Sequence, residues 1–175
     1  YDPQAVAWNA QAALGGLTDA THAVVGDFDG NGHTDIAVTD PGESEVVVYL
    51  NAATAFTSYV IASASVRFLA VGDLDGDGDL DLGASDMVDG LTWFENTGDG
   101  KNFNTIPVDD VIDSPQRVEL ADIDLDGDLD MTSASLTQGS VVWSEKQAGA
   151  VTNPIAHPAC GLTAPRQQRT DDRAR

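Results

Sequence analysis

Acidic side chains recur at alternating positions in one stretch that begins at Asp73. Alternation brings Asp73, Asp75 and Asp77 within reach of one point as the chain bends. Gly78 permits the bend because glycine adopts positive φ freely, and Asp81 returns from the far side. Clustered carboxylate oxygens are the ligands that hard cations prefer, and Ca²⁺ is the natural occupant of such a set. The stretch therefore predicts a metal-binding loop.

The same pattern, D-x-D-x-[DN]-G-x-x-D, opens at Asp27, Asp73 and Asp122, so the repeat periods are 46 and 49 residues. Of the 29 acids, 13 lie in the three windows 27–35, 73–81 and 122–130. The charge is thus clustered, unlike that of a disordered acidic chain. The alternative is a set of solvated acidic turns without metal, which is disfavoured because uncompensated carboxylates this close repel one another.

The surroundings of the motif predict strands on both sides of it. The first five positions match an EF-hand loop, but position twelve is Val38, Ala84 or Ser133 in place of the bidentate glutamate that an EF-hand needs. The run Val46–Leu50 begins with three β-branched valines and continues with tyrosine and leucine, as is typical of a strand. A period of 46 to 49 residues suits a four-stranded propeller blade. We therefore predict an all-β fold of β-propeller-type blades, each with four antiparallel strands.

Three such blades are expected at about 21–63, 64–111 and 112–158, with the last strand at Val151–Ile155. Residues 1–20 are either an N-terminal helix or a half blade, because Val6–Asn9 is similar to the later third strands. This makes about three and a half repeats. Residues 159–175 are polar, and they predict a disordered tail that carries Cys160, the only cysteine. The role of that cysteine and of the basic tail stays open.

The three loops with their strand-like flanks resemble the FG-GAP/VCBS repeat family, which includes the calcium-bearing blades of integrin α-chain propellers. The resemblance covers roughly residues 20–158 and implies up to three bound Ca²⁺ ions. Side chains at positions one, three, five and nine of the motif would bind each ion. The backbone carbonyl of position seven would complete each coordination shell. The implied metal ligands are Asp27, Asp29, Asn31, His33 and Asp35 for one ion, Asp73, Asp75, Asp77, Asp79 and Asp81 for the second, and Asp122, Asp124, Asp126, Asp128 and Asp130 for the third.

Family propellers usually close with about seven blades, and this chain departs from that number. Three and a half blades would leave open sheet edges. The resemblance therefore implies a partial propeller, or a ring that is completed by other chains or by a larger assembly. In each case the exposed edge becomes an interaction surface.

Composition narrows the functional classes. The net charge of −21 makes nucleic acid and anionic membranes unfavourable partners, and the sequence has no membrane-spanning stretch. The chain has no Gly-x-Ser-x-Gly motif, and no catalytic set forms around His22, His33 or His157, so we expect a protein that is not an enzyme.

Trp93 and Trp143 are expected to pack between blades, although they are also weak candidates for stacking on sugar rings.

These observations lead to one main hypothesis and one alternative. The main hypothesis is a calcium-stabilised module that mediates contact with a protein partner or with other subunits of an assembly. It would be secreted, periplasmic or in an organelle lumen, where Ca²⁺ is plentiful, and not cytosolic. The alternative is a carbohydrate-binding module, such as a lectin or an accessory domain of a polysaccharide-active enzyme.

Overall fold

The computed structural model describes residues 13–109 and 112–146 and the backbone of one further strand at 155–158. Within these ranges the secondary structure is entirely β, and each of three antiparallel sheets takes four strands in chain order. The first sheet comprises β1 (His22–Gly26), β2 (Asp35–Asp40), β3 (Glu45–Asn51) and β4 (Phe56–Ser63). The second sheet comprises β5 (Val66–Gly72), β6 (Asp81–Asp86), β7 (Gly90–Asn96) and β8 (Phe103–Asp109). The third sheet comprises β9 (Pro115–Ala121), β10 (Asp130–Ser135), β11 (Ser140–Glu145) and β12 (Ile155–Pro158).

The predicted fold class is confirmed in these ranges: the chain is all-β, with propeller-type blades of four antiparallel strands that do not close into a ring. The last strand begins at Ile155, where the predicted one ended, and residues 151–154 lie outside the described part of the chain. The proposed tail at 159–175 and the segment Val6–Asn9 also lie outside it.

The strand β3 and the turns before the third strands show how local sequence determines conformation. The β-branched run in β3 is almost wholly buried, and Val46 and Val48 are both fully inaccessible to solvent. The turn that leads into β3 places Ser44 at a φ of 57°, and the later equivalent turns use glycine at this kind of conformation, at Gly90 and Gly139. Two of these three hairpins therefore use glycine where positive φ is needed, and the first uses Ser44.

Two apolar cores hold neighbouring sheets together. Phe28, Val48 and Phe94 belong to the cluster between the first and second sheets. Leu91 and Met131 belong to the cluster between the second and third sheets. In both interfaces the first strand of the following sheet packs against the first two strands of the preceding one. The metal-loop motifs lie between the first and second strands, so this packing fixes their positions.

The outer face of the first sheet is covered in part by residues that precede β1. Leu14 and Leu17 pack on Val38, Val47 and Tyr49. Residues 13–20 form neither a helix nor a strand. The described part of the predicted half blade is thus an irregular segment that is held against the sheet by apolar contacts.

Candidate metal-binding loops

The first acidic loop is organised by carboxylates that accept backbone N–H groups a few residues ahead. Asp27 accepts from Asn31 N at 3.1 Å and from Gly32 N at 2.7 Å, one bond to each carboxylate oxygen. Asp29 accepts from Asn31 N at 3.2 Å. The Asn31 side-chain oxygen accepts from His33 N at 2.8 Å. These bonds curl the loop and turn the side chains of its first, third and fifth residues toward its inner side.

The second and third loops repeat this arrangement. Asp73 accepts from Gly76 N and Gly78 N, at 2.7 and 3.0 Å. Asp122 accepts from Asp126 N and Gly127 N, at 3.1 and 3.2 Å. The glycine that follows the fifth residue has positive φ in all three loops, between 84° and 102°. The same sequence spacing has therefore produced the same loop three times.

The last aspartate of each motif is buried, and its two oxygens accept hydrogen bonds from two different parts of the chain. We call this residue the clamp of its loop. Asp81 accepts from Leu74 N at 2.9 Å through one oxygen and from Asn96 N at 2.8 Å through the other, and it is fully buried. Asp35 and Asp130 make the corresponding pair of bonds in the other loops. Each clamp ties its loop to the end of the third strand of the same sheet. The sequence pattern indicates only a metal-ligand role for these residues.

Carboxylates from each loop come close enough to share one cation. In each group below, one ligand oxygen per residue lies within 4.8 Å of the others. The groups are Asp27, Asp29 and Asp35 in the first loop, Asp73, Asp75 and Asp81 in the second, and Asp122, Asp124 and Asp126 in the third.

Two of the aspartates implied as side-chain ligands are not members of these groups. Asp130, expected to act as Asp35 and Asp81 do, is outside the third group, where Asp126 takes its place. Asp77 lies outside the second group, although its side chain accepts from Asp79 N at 2.9 Å, as that of Asp126 does from Asp128 N at 3.0 Å. For His33, Asp79 and Asp128 the contribution expected from the sequence is a backbone carbonyl, and that stays a prediction.

Burial and mutual repulsion disfavour negative charge at Asp75 and Asp81 in the second loop and at Asp124 in the third. Burial, partly opposed by backbone hydrogen bonds from Asn96 and Leu74, raises the pKa of Asp81 to about 6. Burial is also the first cause of the raised pKa of Asp75, and the Asp77 charge adds to it. Desolvation likewise raises the pKa of Asp124. A bound divalent cation would relieve this penalty, and an all-oxygen donor set suits Ca²⁺.

Two polar side chains that sequence reasoning missed connect the first two loops to the sheet that follows each. The Asn96 amide donates to Phe28 O at 2.8 Å and to Leu80 O at 3.1 Å. The Lys146 ammonium donates to Leu74 O, the equivalent carbonyl one loop later. The only available signal for Asn96 was its place at the end of a third strand, where Asn51 stands in the first repeat. The first two loops are therefore also joints between sheets, by which we mean that each is hydrogen-bonded to a side chain of the sheet that follows.

The two tryptophan candidates differ in their surroundings. Trp93 is half-buried against the core between the second and third sheets, and its ring centroid lies 6.0 Å from Lys146 Nζ. This position accords with the expected packing role. Trp143 lies one residue after the buried Val142 and therefore on the opposite face of β11, where it is also half-buried. Its predicted role as a weak sugar ligand stays a prediction.

Residues 27–84 and 73–133 match the sequence profile of a family described as FG-GAP-like repeat, so the two overlapping matches together span all three loops. No curated protein matches the chain. Among the described residues there is no helix with the length and apolarity needed to cross a membrane.

Proposed function

The chain belongs to the FG-GAP-like repeat family, and on that basis we propose that it is a calcium-stabilised, non-catalytic module that mediates contact with other proteins. The observation that carries the calcium proposal is the threefold recurrence of a loop whose carboxylate oxygens converge within 4.8 Å. The family is typically non-catalytic, which supports a binding role.

Calcium would act on the joints between sheets. The first and second loops each carry a backbone carbonyl that accepts a side chain from the following sheet. When bound, the ion would supply charge compensation to the carboxylates and hold the loop in one conformation. An ion that binds only the folded state stabilises it by about 2.7 kcal/mol at one hundred times its Kd. Such a module would act outside the cytosol, where Ca²⁺ is plentiful.

The open sheet arrangement supports the interaction part of the proposal. Val25 on β1 is 61% exposed and Val60 on β4 is 53% exposed, both on the side of the first sheet that faces away from the second. On the third sheet Val141 is 48% exposed, whereas the side chains in register with it in the other sheets, Val46 and Leu91, are fully buried. These surfaces are where a protein partner or another subunit would dock.

Calcium binding is tested by thermal unfolding and calorimetry in chelator and in millimolar Ca²⁺, with Mg²⁺ as the comparison ion. We expect Ca²⁺ to raise the melting temperature well beyond the effect of Mg²⁺. Asp73→Ala should reduce the number of bound ions, and Glu43→Gln, which changes an exposed turn residue, should leave that number unchanged. A melting temperature that is the same in chelator and in calcium would refute the structural role of the ion.

The three loops should not bind equally. Asn31 replaces an acid in the first loop, and its amide already donates to Asp29 at 3.0 Å, so this loop has both less charge and less repulsion to relieve. We expect Asp27→Ala to abolish the weakest calcium-binding step and Asp73→Ala to abolish a tighter one. Equal losses of affinity in the two variants would contradict this ranking.

The interaction role is tested by the mass in solution, with and without calcium. A mass well above the 18.3 kDa monomer that depends on Ca²⁺ would support an assembly subunit. A monomer at all concentrations that also fails to bind any candidate partner in calcium would remove the proposed scaffold role and leave the calcium sites untouched.

A further inference from the structure

A groove separate from the acidic loops lies where the first strands of the three sheets meet. Its volume is about 310 Å³, and it is lined by residues of β1, β5 and β9. Small-molecule sites in proteins begin at about this size. Its walls carry both apolar and charged side chains, among them His22, Val24, Phe68, Ala70, Arg117 and Glu119.

Three of these side chains occupy the same register position in successive sheets. His22, Phe68 and Arg117 each stand four residues before the last residue of their strand. The Arg117 guanidinium carbon lies 5.7 Å from the Phe68 ring centroid, and the His22 ring meets the Phe68 ring edge-on at 5.4 Å between centroids. A guanidinium that stacks on an aromatic ring keeps the N–H groups of its edge free for a ligand.

The histidine presents a donor to the same space. His22 Nδ1 accepts a hydrogen bond from Leu69 N at 3.2 Å, so the proton of the neutral ring is on Nε2. Burial, with the nearby Arg117 charge as the second cause, lowers the pKa of His22, and this favours the neutral form. His22 and Arg117 are therefore two donors that each border the ring of Phe68.

Glu119 adds an acceptor on the same strand face. It lies two residues from Arg117, so both side chains project to the same side of β9. Both are exposed, and neither makes an ion pair or side-chain hydrogen bond with any residue in the described ranges. At the position in register with Glu119 the first two sheets have Val24 and Ala70. The third sheet has thus placed an acid where its predecessors carry apolar side chains.

We propose that this groove binds a free α-amino acid with an apolar side chain. The ligand carboxylate pairs with Arg117 and accepts from His22 Nε2, and the ligand ammonium pairs with Glu119. The apolar side chain lies along Val24, Ala70 and the half-buried ring of Phe68. A ligand with both charges is favoured over a simple anion because the protein carries a net charge of −21.

The test is calorimetry of the full chain in calcium, with L-leucine and two analogues that each lack one charged group. These are 4-methylpentanoate, which has no ammonium, and 3-methylbutylamine, which has no carboxylate. We expect leucine to bind and each analogue to bind about fivefold more weakly or worse, because each lacks one charge-assisted contact. Equal affinity for leucine and 4-methylpentanoate would overturn the role of Glu119, and no binding of leucine, valine or phenylalanine would overturn the proposal.

Variants assign the contacts. Arg117→Gln should weaken leucine binding by about fivefold or more, and Glu119→Gln should remove the preference for leucine over 4-methylpentanoate. Arg67→Gln is the matched control because Arg67 is an exposed arginine of β5 outside the groove lining. An equal loss in Arg67→Gln would refute the assignment. The groove contains no residue of the three carboxylate groups. A failure to bind calcium and a failure to bind leucine can therefore be distinguished by separate calorimetric titrations.

Discussion

The substitution Asp81→Asn separates the charge of the loop clamp from its hydrogen bonds. In the native protein the two Asp81 oxygens accept from Leu74 N and Asn96 N, and burial raises the pKa of the carboxyl to about 6 from its ordinary value of 3.8. A carboxamide in its place would keep one oxygen acceptor and would not titrate. The difference in unfolding free energy between the native chain and Asp81→Asn should therefore depend on pH.

The sign follows from proton binding. The folded state holds the Asp81 proton more tightly than the unfolded state, so the contribution of this group is fully present below pH 3.8 and is lost as pH rises to about 6. A shift of this size corresponds to at most about 3 kcal/mol. Relaxation of the loop and water penetration around the ionised carboxylate reduce the expected change to about 1–2 kcal/mol.

The assay is urea unfolding in chelator at several pH values between about 4 and 7, for the native chain, Asp81→Asn and Glu43→Gln. The stability of the native chain relative to Asp81→Asn should fall by about 1–2 kcal/mol as pH rises through this range. The Glu43→Gln control should show no such trend. In saturating calcium this fall should disappear, because the ion would bind the ionised carboxylate and lower its pKa in the folded state.

Parallel curves for the native chain and Asp81→Asn in chelator would contradict a raised pKa of Asp81. They would mean that the two backbone N–H groups compensate the buried charge completely. A constant offset of about 1–3 kcal/mol between the two proteins is expected in addition, because the carboxamide would leave one buried N–H group without its acceptor.

Other changes test the joints between sheets. Asn96→Ala should destabilise the fold by about 2–3 kcal/mol in chemical unfolding, since it leaves two backbone carbonyls without their donor, whereas Asn104→Ala, which removes an exposed bond to Glu95, should cost less than about 0.5 kcal/mol. Gly100→Ala should cost about 2–3 kcal/mol in the same assay because the residue has a φ of 64° and its new Cβ would lie 3.1 Å from backbone atoms of the preceding loop. Gly15→Ala is its control, because no atom lies within 4 Å of the Cβ position there. Equal destabilisation by either variant and its control would contradict the joint model.

Much of the fold was available from the sequence because the signals are local and repeated. The period between Asp27, Asp73 and Asp122 predicted the number of complete repeats, and the valine-rich run Val46–Leu50 predicted a strand that the structure places at Glu45–Asn51. The loops could be predicted for the same reason, since Asp73 bonds to backbone groups three and five residues ahead.

The roles of individual side chains within the loops were less accessible. The spacing alone marks Asp81 as one more ligand, whereas the structure gives it a second task as acceptor for Leu74 and Asn96. The bond to Asn96 depends on where the third strand ends in space, and no spacing rule predicts that. The same limit explains why Asp126, and not Asp130, completes the third carboxylate group.

The three acidic loops, the strands that flank them and their clustered charge could be predicted from the sequence, because each depends on residues a few positions apart. The contacts between sheets could be seen only in the folded structure. The amide of Asn96 reaches a carbonyl 68 residues earlier, and Arg117 stacks on Phe68 in a groove formed by three separate strands. Such contacts depend on how whole sheets pack, and packing is a property of the complete set of apolar faces and not of any single stretch of the chain.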